Sequence, residues 1–189
     1  RPWTADTAAR LLRGAMALIA VFLIFAGFVA QAAPVSPPAV KISDKFSPIA
    51  LDQVKVAGEF GRRIQITVEN SLLNLDIDND FLKGPREKKT KKGGNGLGLF
   101  VDSIVRLAAH TGDSRVLAVK RHVIKTIIDA QEPDGYLGDF DRENRLWAFI
   151  DIQELAYLIQ ALVMDYRLFK EERSLTAARK QADYILKHW

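Results

Sequence analysis

The sequence contains no cysteine, only three histidines and only two methionines among its 189 residues. Without cysteine, the chain has no disulfide scaffold, no thiolate zinc site and no cysteine nucleophile of its own. The histidines, at positions 110, 122 and 188, lie far apart in sequence and lack the close spacing of metal ligands. No Ser-His-Asp pattern is evident either. We therefore expect no metal ligands within this chain, and the sequence leaves its catalytic residues unknown.

A strong excess of one charge is also absent. The chain has 27 basic and 23 acidic residues, and residues 1–32 contain three of the basic residues and one of the acidic residues. The rest of the chain therefore holds 24 basic and 22 acidic residues. The local excess of basic charge is confined to residues 83–92, which hold six basic side chains. Such a run is typical of a solvated loop. We therefore expect no nucleic-acid partner.

A phosphate-binding loop is missing as well. The glycine cluster at residues 93–98 has neither the spacing G-x-x-x-x-G-K-[ST] nor a G-x-G-x-x-G that follows a strand. We interpret it as a flexible start to the next helix, although glycines facing a pocket would also allow close approach of a ligand.

The N-terminus has the pattern of an export signal. Arg10 and Arg13 precede an apolar stretch, residues 15–30, which is followed by the small-residue sequence Ala30-Gln31-Ala32. An uncleaved membrane anchor is the alternative, although about 16 apolar residues are fewer than the roughly 20 that span a bilayer. Residues 1–32 are thus predicted to be a signal peptide or membrane anchor, and the protein is expected to be exported, either periplasmic or extracellular. Membrane contact is expected only through this segment, if it is not cleaved.

The rest of the chain divides into a linker and a helical domain. Residues 33–50 hold four prolines and are predicted to be an extended linker. Residues 51–57 alternate as a short strand or extended arm, and residues 59–75 favour a helix. Apolar periodicity then predicts four helices within residues 97–112, 114–128, 152–166 and 174–186, with Asp113 or Ser114, and later Ser174, as N-caps.

These helices are arranged with a regular spacing. The tight turns at Asp113-Ser114 and Arg173-Ser174 lie roughly 60 residues apart, and a long loop separates the two helix pairs. Successive αα-hairpins of this kind build a toroid or solenoid, in which the long loops gather on one face. The sequence therefore predicts an all-α fold, an αα-hairpin toroid over residues 51–189.

The long loop is the candidate site. Seven carboxylates lie within residues 132–154, together with Tyr136 and Trp147. Aromatic rings stack on sugar faces while carboxylates bind hydroxyl groups, so this composition is typical of a sugar site. A solvated acidic loop is the alternative interpretation, and Asp134-Gly135 is also an ordinary turn sequence. Trp147 is either a stacking platform or a core anchor.

Residues 96–189 resemble the N-terminal part of the catalytic domain of glycoside hydrolase family 127, the β-L-arabinofuranosidase-like proteins. Four blocks carry the resemblance, in the order of the family: Gln131-Glu-Pro-Asp-Gly-Tyr-Leu137, Trp147, Gln153-Glu-Leu-Ala-Tyr-Leu-Ile159 and Leu175-x-x-Ala178-x-x-x-Ala182-Asp-Tyr-Ile185. The resemblance implies an (α/α)6 barrel of which this chain is the N-terminal part.

The resemblance also implies site residues. It places the Asp134-Gly135-Tyr136 loop and Gln153-Glu154 at one sugar pocket, near Trp147. The family usually has histidine where this chain has Gln153, whose amide binds hydroxyls but does not titrate near neutral pH. Its cysteine nucleophile, zinc-binding cysteines and associated glutamate belong to a later part of the barrel. We therefore expect no cofactor in this segment, zinc in the full-length protein, and a fragment that is inactive by itself.

The predicted function is that of an exported glycoside hydrolase that acts on terminal glycosidic bonds of a glycan or oligosaccharide. Two alternatives remain open from the sequence. One is a non-catalytic helical module that binds carbohydrate or another partner, and the other is a different toroid sugar enzyme, an epimerase or a lyase.

Overall fold

A computed structural model describes residue 46 and residues 49–94, 96–147 and 149–189. The predicted signal or anchor and most of the linker lie outside these residues. All the helices discussed below lie in one compact unit, Pro48–Trp189. The predicted division into residues 1–32, 33–50 and 51–189 stays a prediction.

The described part of the chain has six α-helices and no sheet. They are α1 (Gly58–Ile66), α2 (Lys83–Glu87), α3 (Leu97–Thr111), α4 (Ser114–Asp129), α5 (Phe149–Phe169) and α6 (Glu172–His188). The all-helical prediction is confirmed. None of the helices described has both the length and the apolar character needed to cross a bilayer.

The first third of the unit differs in detail from the prediction. Leu51–Gln53 form a 3-10 turn, so the short-strand alternative for residues 51–57 is wrong. Val54 after this turn and Ala57 before α1 are extended, which agrees in part with the extended-arm alternative. The helix predicted over residues 59–75 forms as α1 and continues through a π turn, Thr67–Ser71, and a 3-10 turn, Leu72–Asn74. The prediction of a loop over residues 83–92 is wrong for its first half. A π turn, Asp78–Leu82, leads into α2 there, because Leu82 and Pro85 are buried against the core.

Two helical hairpins build the core. α3 packs most extensively against α5, while α4 and α6 complete the α3–α4 and α5–α6 hairpins. Gly98 permits the close approach of α3 to α5, since a Cβ at this position would lie 2.5 Å from the Cβ of Tyr157. The apolar core between the hairpins includes Val101 and Ile104 of α3 and Leu158 of α5.

The helix ends follow local chemistry in one hairpin and tertiary contacts in the other. Gly112 adopts a left-handed φ of 63° after α3, and the Asp113 side chain accepts a hydrogen bond from the Arg115 amide at 2.8 Å, so both predicted boundaries are confirmed. The prediction that Ser174 is an N-cap is wrong, because α6 begins two residues earlier, at Glu172. The Ser174 hydroxyl instead donates to the buried carboxylate of Asp165 at 2.6 Å.

Candidate functional site

Two loops meet at the end of the unit where α3 and α5 begin. The basic loop, residues 88–94, and the acidic loop, residues 130–147, are joined by a parallel β-bridge between Thr90 and Phe140. In this bridge the Thr90 amide donates to the Asp139 carbonyl and the Asp141 amide donates to the Thr90 carbonyl, both at 3.0 Å. We refer to these two loops together as the loop face. Its position at the start of two neighbouring helices makes it the candidate site.

The acidic loop is organised around a buried tyrosine and a buried aspartate. The hydroxyl of Tyr136 donates to Oδ1 of Asp151 at 2.8 Å and accepts a hydrogen bond from the Phe140 amide at 3.0 Å. The other oxygen of Asp151 accepts a hydrogen bond from the amide of Leu146, which has a positive φ of 63°. Both side chains are fully buried, and burial raises the pKa of Asp151 above its ordinary value. The pair therefore fixes the fold of the loop.

Arg145 closes the same loop from the other side. Its guanidinium lies 3.8 Å from the centre of the Tyr136 ring and donates two hydrogen bonds, of 2.9 and 2.8 Å, to the carboxylate of Glu132. The hydrogen bonds from Arg145 lower the pKa of Glu132. The two ends of the acidic loop are thereby held together by a charged, partly buried pair.

The loop face contains two cavities on either side of Lys92 and Gly93. One, of about 460 Å³, lies between the basic loop and α2 and has Asp139 in its wall. The other, of about 400 Å³, lies between the basic loop and the end of the acidic loop and is lined by Trp147, Asn144 and Ile150. Both are polar enough to bind a hydroxylated ligand, and only the second contains an aromatic side chain.

Comparison with known families decides the identity of this arrangement. A model of the β-L-arabinofuranosidase GH127 catalytic domain matches residues 54–189, which include all six helices and both loops. The chain belongs to the GH127 β-L-arabinofuranosidase family. The resemblance noted in the sequence is therefore confirmed, and carbohydrate is the substrate class that this family implies.

A solved structure shares the fold. It is described as the GH127 β-arabinofuranosidase BT3674, and it superposes with a TM-score of 0.56 at 20% sequence identity over 74% of this chain. The chain spans 27% of the length of that protein. A search of curated proteins gave no match.

The structure distributes the predicted site residues of this GH127 chain over several environments. Asp134 is exposed, and its side chain accepts a hydrogen bond from the Tyr136 amide at 3.1 Å, which shapes its own turn. Gly135 has a φ of 103° and packs against α6, where a Cβ would lie 2.3 Å from the Lys180 carbonyl oxygen. Gln153 is exposed on α5. Contact of these residues with a sugar stays a prediction, and the buried ring of Tyr136 supports the loop from within.

Trp147 is exposed rather than part of the core. Its residue exposure is 75%, and its indole stacks on that of Trp189 with ring centres 5.5 Å apart and an interplanar angle of 12°. The interpretation of Trp147 as a core anchor is therefore wrong. Its exposed ring in the smaller cavity is compatible with a stacking platform.

Glu154 is joined to the start of α3. Its two carboxylate oxygens accept hydrogen bonds from the amides of Gly96 at 2.9 Å and Gly98 at 3.2 Å. These amides belong to the group of N–H donors that a helix leaves unpaired at its N-terminus, where a negative charge is also favourable. Glu154 therefore caps α3 from the neighbouring helix α5.

We expect Glu154→Ala to lower the free energy of unfolding by about 2 kcal/mol, because two helix N-terminal donors lose a charged acceptor. Glu154→Gln retains one acceptor oxygen and is expected to lose about half as much. Urea unfolding followed by circular dichroism measures both effects. A variant Glu154→Ala that is as stable as the wild type and binds sugar less tightly would show instead that Glu154 acts mainly on ligand.

Sequence reasoning did not single out Asp139 or Asp151. Both were counted only as members of an acidic loop, yet the structure buries Asp139 to 8% exposure and Asp151 completely. The sequence contains one signal for Asp151, which lies between Ile150 and Ile152. Apolar neighbours on both sides indicate that an aspartate at this position is buried. No comparable signal marks Asp139.

The described residues do not form a metal site. They contain no group of three or more histidine, aspartate or glutamate side chains placed to hold an ion, and the sequence has no cysteine. The family resemblance implies zinc ligands in a later part of the barrel, and that expectation stays a prediction.

Proposed function

We propose that the complete protein is a glycoside hydrolase that cleaves terminal β-L-arabinofuranosidic bonds, and that this chain contributes part of its substrate site. The match of the family's catalytic domain to residues 54–189 carries the proposal. The loop face supports it, because a cavity with an exposed indole and amide and carboxylate side chains suits a sugar.

The proposed architecture is the N-terminal part of an (α/α)6 barrel. In its favour, α3 and α5 start at the same face and pack closely, while α4 and α6 return the chain to that face. This is the arrangement expected of successive hairpins whose long loops share one face. The nucleophile, the acid/base group and any zinc ligands would then come from the later hairpins of the complete protein.

Export also belongs to the proposal. The support is the sequence of residues 1–32, in which two arginines precede an apolar stretch and a small-residue cleavage pattern. Cleavage of this segment would release a soluble enzyme, and retention would leave the enzyme anchored on the outer side of the membrane. Mass spectrometry of the mature protein's N-terminus distinguishes the two.

Activity of the complete protein on an aryl β-L-arabinofuranoside tests the proposed reaction. We expect release of the aryl alcohol and of L-arabinose. In the same assay Trp147→Ala is expected to raise KM about tenfold with little change in kcat, because a stacking contact of about 1.4 kcal/mol is lost from substrate binding.

Phe60→Ala is the matched control, since Phe60 is also an exposed aromatic residue but lies on α1, outside both cavities. We expect its kinetics to equal those of the wild type. A complete protein that is inert on arabinofuranosides yet binds them would favour the non-catalytic module, and one that is neither active nor able to bind would refute the proposal.

A further inference from the structure

The larger cavity of the loop face is lined by polar and charged residues and by glycines. Charged side chains of both signs surround it: Lys83, Lys89, Lys92, Asp80, Glu87 and Asp139. The amide of Asn79 and the hydroxyl of Thr90 complete the side-chain donors and acceptors, and no aromatic or aliphatic side chain lines it. The polar groups that a ligand would meet in this cavity are therefore suited to form hydrogen bonds with it.

The balance of charge favours a neutral ligand. Three amino groups face three carboxyl groups, and one lysine, Lys89, already lies 3.9 Å from the Glu87 carboxylate. An anion would be opposed by the carboxyl groups and a cation by the amino groups. An uncharged compound with many hydroxyl groups can bind to both kinds of group, because each hydroxyl donates and accepts.

Asp139 is the most deeply buried group in the wall of this cavity. Its residue exposure is 8%, its Oδ2 accepts a long hydrogen bond of 3.4 Å from the Thr90 hydroxyl, and Gly84 packs directly against its side chain. Burial raises the pKa of Asp139, and the nearby charges of Asp151 and Glu154 raise it further. Its carboxyl oxygens therefore lie in the cavity wall as possible hydrogen-bond acceptors for the hydroxyl groups of a ligand.

The two cavities adjoin each other. Lys92 and Gly93 line both, so the same short piece of the basic loop separates the Asp139 cavity from the Trp147 cavity. A ligand with two linked rings can pass across this piece of backbone, with one ring against the indole and the other among the polar groups.

We propose that the Asp139 cavity binds one uncharged sugar unit of an oligosaccharide whose neighbouring unit stacks on Trp147. The proposal rests on the proposed function, and it deepens that function by specifying a substrate of at least two linked sugars. In this arrangement Trp147 supplies the apolar contact and Asp139 supplies hydrogen bonds to hydroxyl groups.

Calorimetric titration of the complete protein tests the proposal with three ligands: methyl β-L-arabinofuranoside, a thio-linked L-arabinofuranose disaccharide that resists hydrolysis, and D-galacturonic acid. We expect the disaccharide to bind at least tenfold more tightly than the methyl glycoside, and galacturonic acid to bind no better than the methyl glycoside. Asp139→Ala should remove the tenfold advantage of the disaccharide without changing the affinity for the methyl glycoside.

A second variant tests the cavity without changing the buried Asp139, whose replacement could cause a folding defect. Lys83 is exposed on α2, so Lys83→Trp should fill the mouth of the cavity without disturbing the core, and it should also remove the tenfold advantage. Lys125→Trp, at an exposed lysine of α4 that lines neither cavity, is the matched control and should bind all ligands as the wild type does.

Three outcomes would overturn the proposal: a disaccharide that gains no affinity over the methyl glycoside, a gain that survives in Lys83→Trp, or tighter binding of galacturonic acid. Hydrolysis is measured separately. A protein that cleaves aryl arabinofuranosides but shows no gain from the second sugar would refute this inference alone, and one that shows the gain without hydrolysis would refute only the proposed reaction.

Discussion

Asp165→Ala is expected to lower the free energy of unfolding by roughly 3–5 kcal/mol, the largest effect among the substitutions considered. Asp165 and Lys120 form a fully buried ion pair of 2.9 Å between α5 and α4. The second oxygen of Asp165 accepts the hydrogen bond from Ser174 of α6, and the amino group of Lys120 lies 4.0 Å from the centre of the Phe169 ring. Loss of the carboxylate leaves a buried ammonium group and a buried hydroxyl without their acceptor.

Chemical denaturation of Asp165→Ala and of the double variant Lys120→Met/Asp165→Leu measures two different losses. Asp165→Ala leaves one buried charge unpaired, whereas the double variant replaces the whole ion pair by apolar side chains. The double variant removes both charges together and is expected to be much closer to the wild type than Asp165→Ala. Lys125→Met is the control, because Lys125 lies on α4 like Lys120 but is exposed. It breaks an exposed ion pair with Asp129 and should cost no more than about 0.5 kcal/mol. If Asp165→Ala cost as little as this control, the buried network would not hold the three helices together.

Asp151→Ala is expected to lower the free energy of unfolding by about 3 kcal/mol and to loosen the acidic loop. The Tyr136 hydroxyl and the Leu146 amide both lose their acceptor in the interior, at about 1–3 kcal/mol for each unsatisfied group. The hydrogen bond to Asp151 contributes to holding Leu146 at its left-handed φ, so we expect the neighbouring Trp147 to move as well. Hydrogen exchange of the loop amides and affinity for arabinofuranosides measure the second effect.

The loss in Asp151→Ala should depend on pH with a definite sign. Burial raises the pKa of Asp151 above its ordinary value of 3.8, so its contribution to stability is complete below that value and declines as the pH rises through the raised pKa. The difference between wild type and variant is therefore expected to be larger at acidic than at neutral pH. Asp151→Asn retains an acceptor for Leu146 and should cost less, while Asp183→Ala, at an exposed residue of α6, should cost little at any pH. If the stability difference between wild type and Asp151→Ala grew towards neutral pH, the raised pKa of Asp151 would be contradicted.

The sequence alone predicted those features that depend on neighbouring residues. Gly112 and Asp113 place the end of α3 and the start of α4, since both act on backbone groups within four residues of themselves. The 3.6-residue periodicity predicted the helical architecture, and the ordered blocks around Asp134 and Glu154 identified the GH127 family. These signals are local or ordered along the chain, so they can be recognised without coordinates.

Only the tertiary structure decided the chemistry of the individual polar groups. Glu154 bonds to amides 58 and 56 residues away, and Lys120 pairs with a carboxylate 45 residues away. Ser174, a good N-cap by type, binds Asp165 because packing of α5 against α6 brings a buried acceptor within reach. The burial and the partners of a polar group depend on which helices pack against each other. Hydrophobic periodicity identifies the apolar face of each helix but does not identify the helix that packs against it. For the same reason, the sequence did not predict the Asp139 cavity, whose walls come from both the basic loop and the acidic loop.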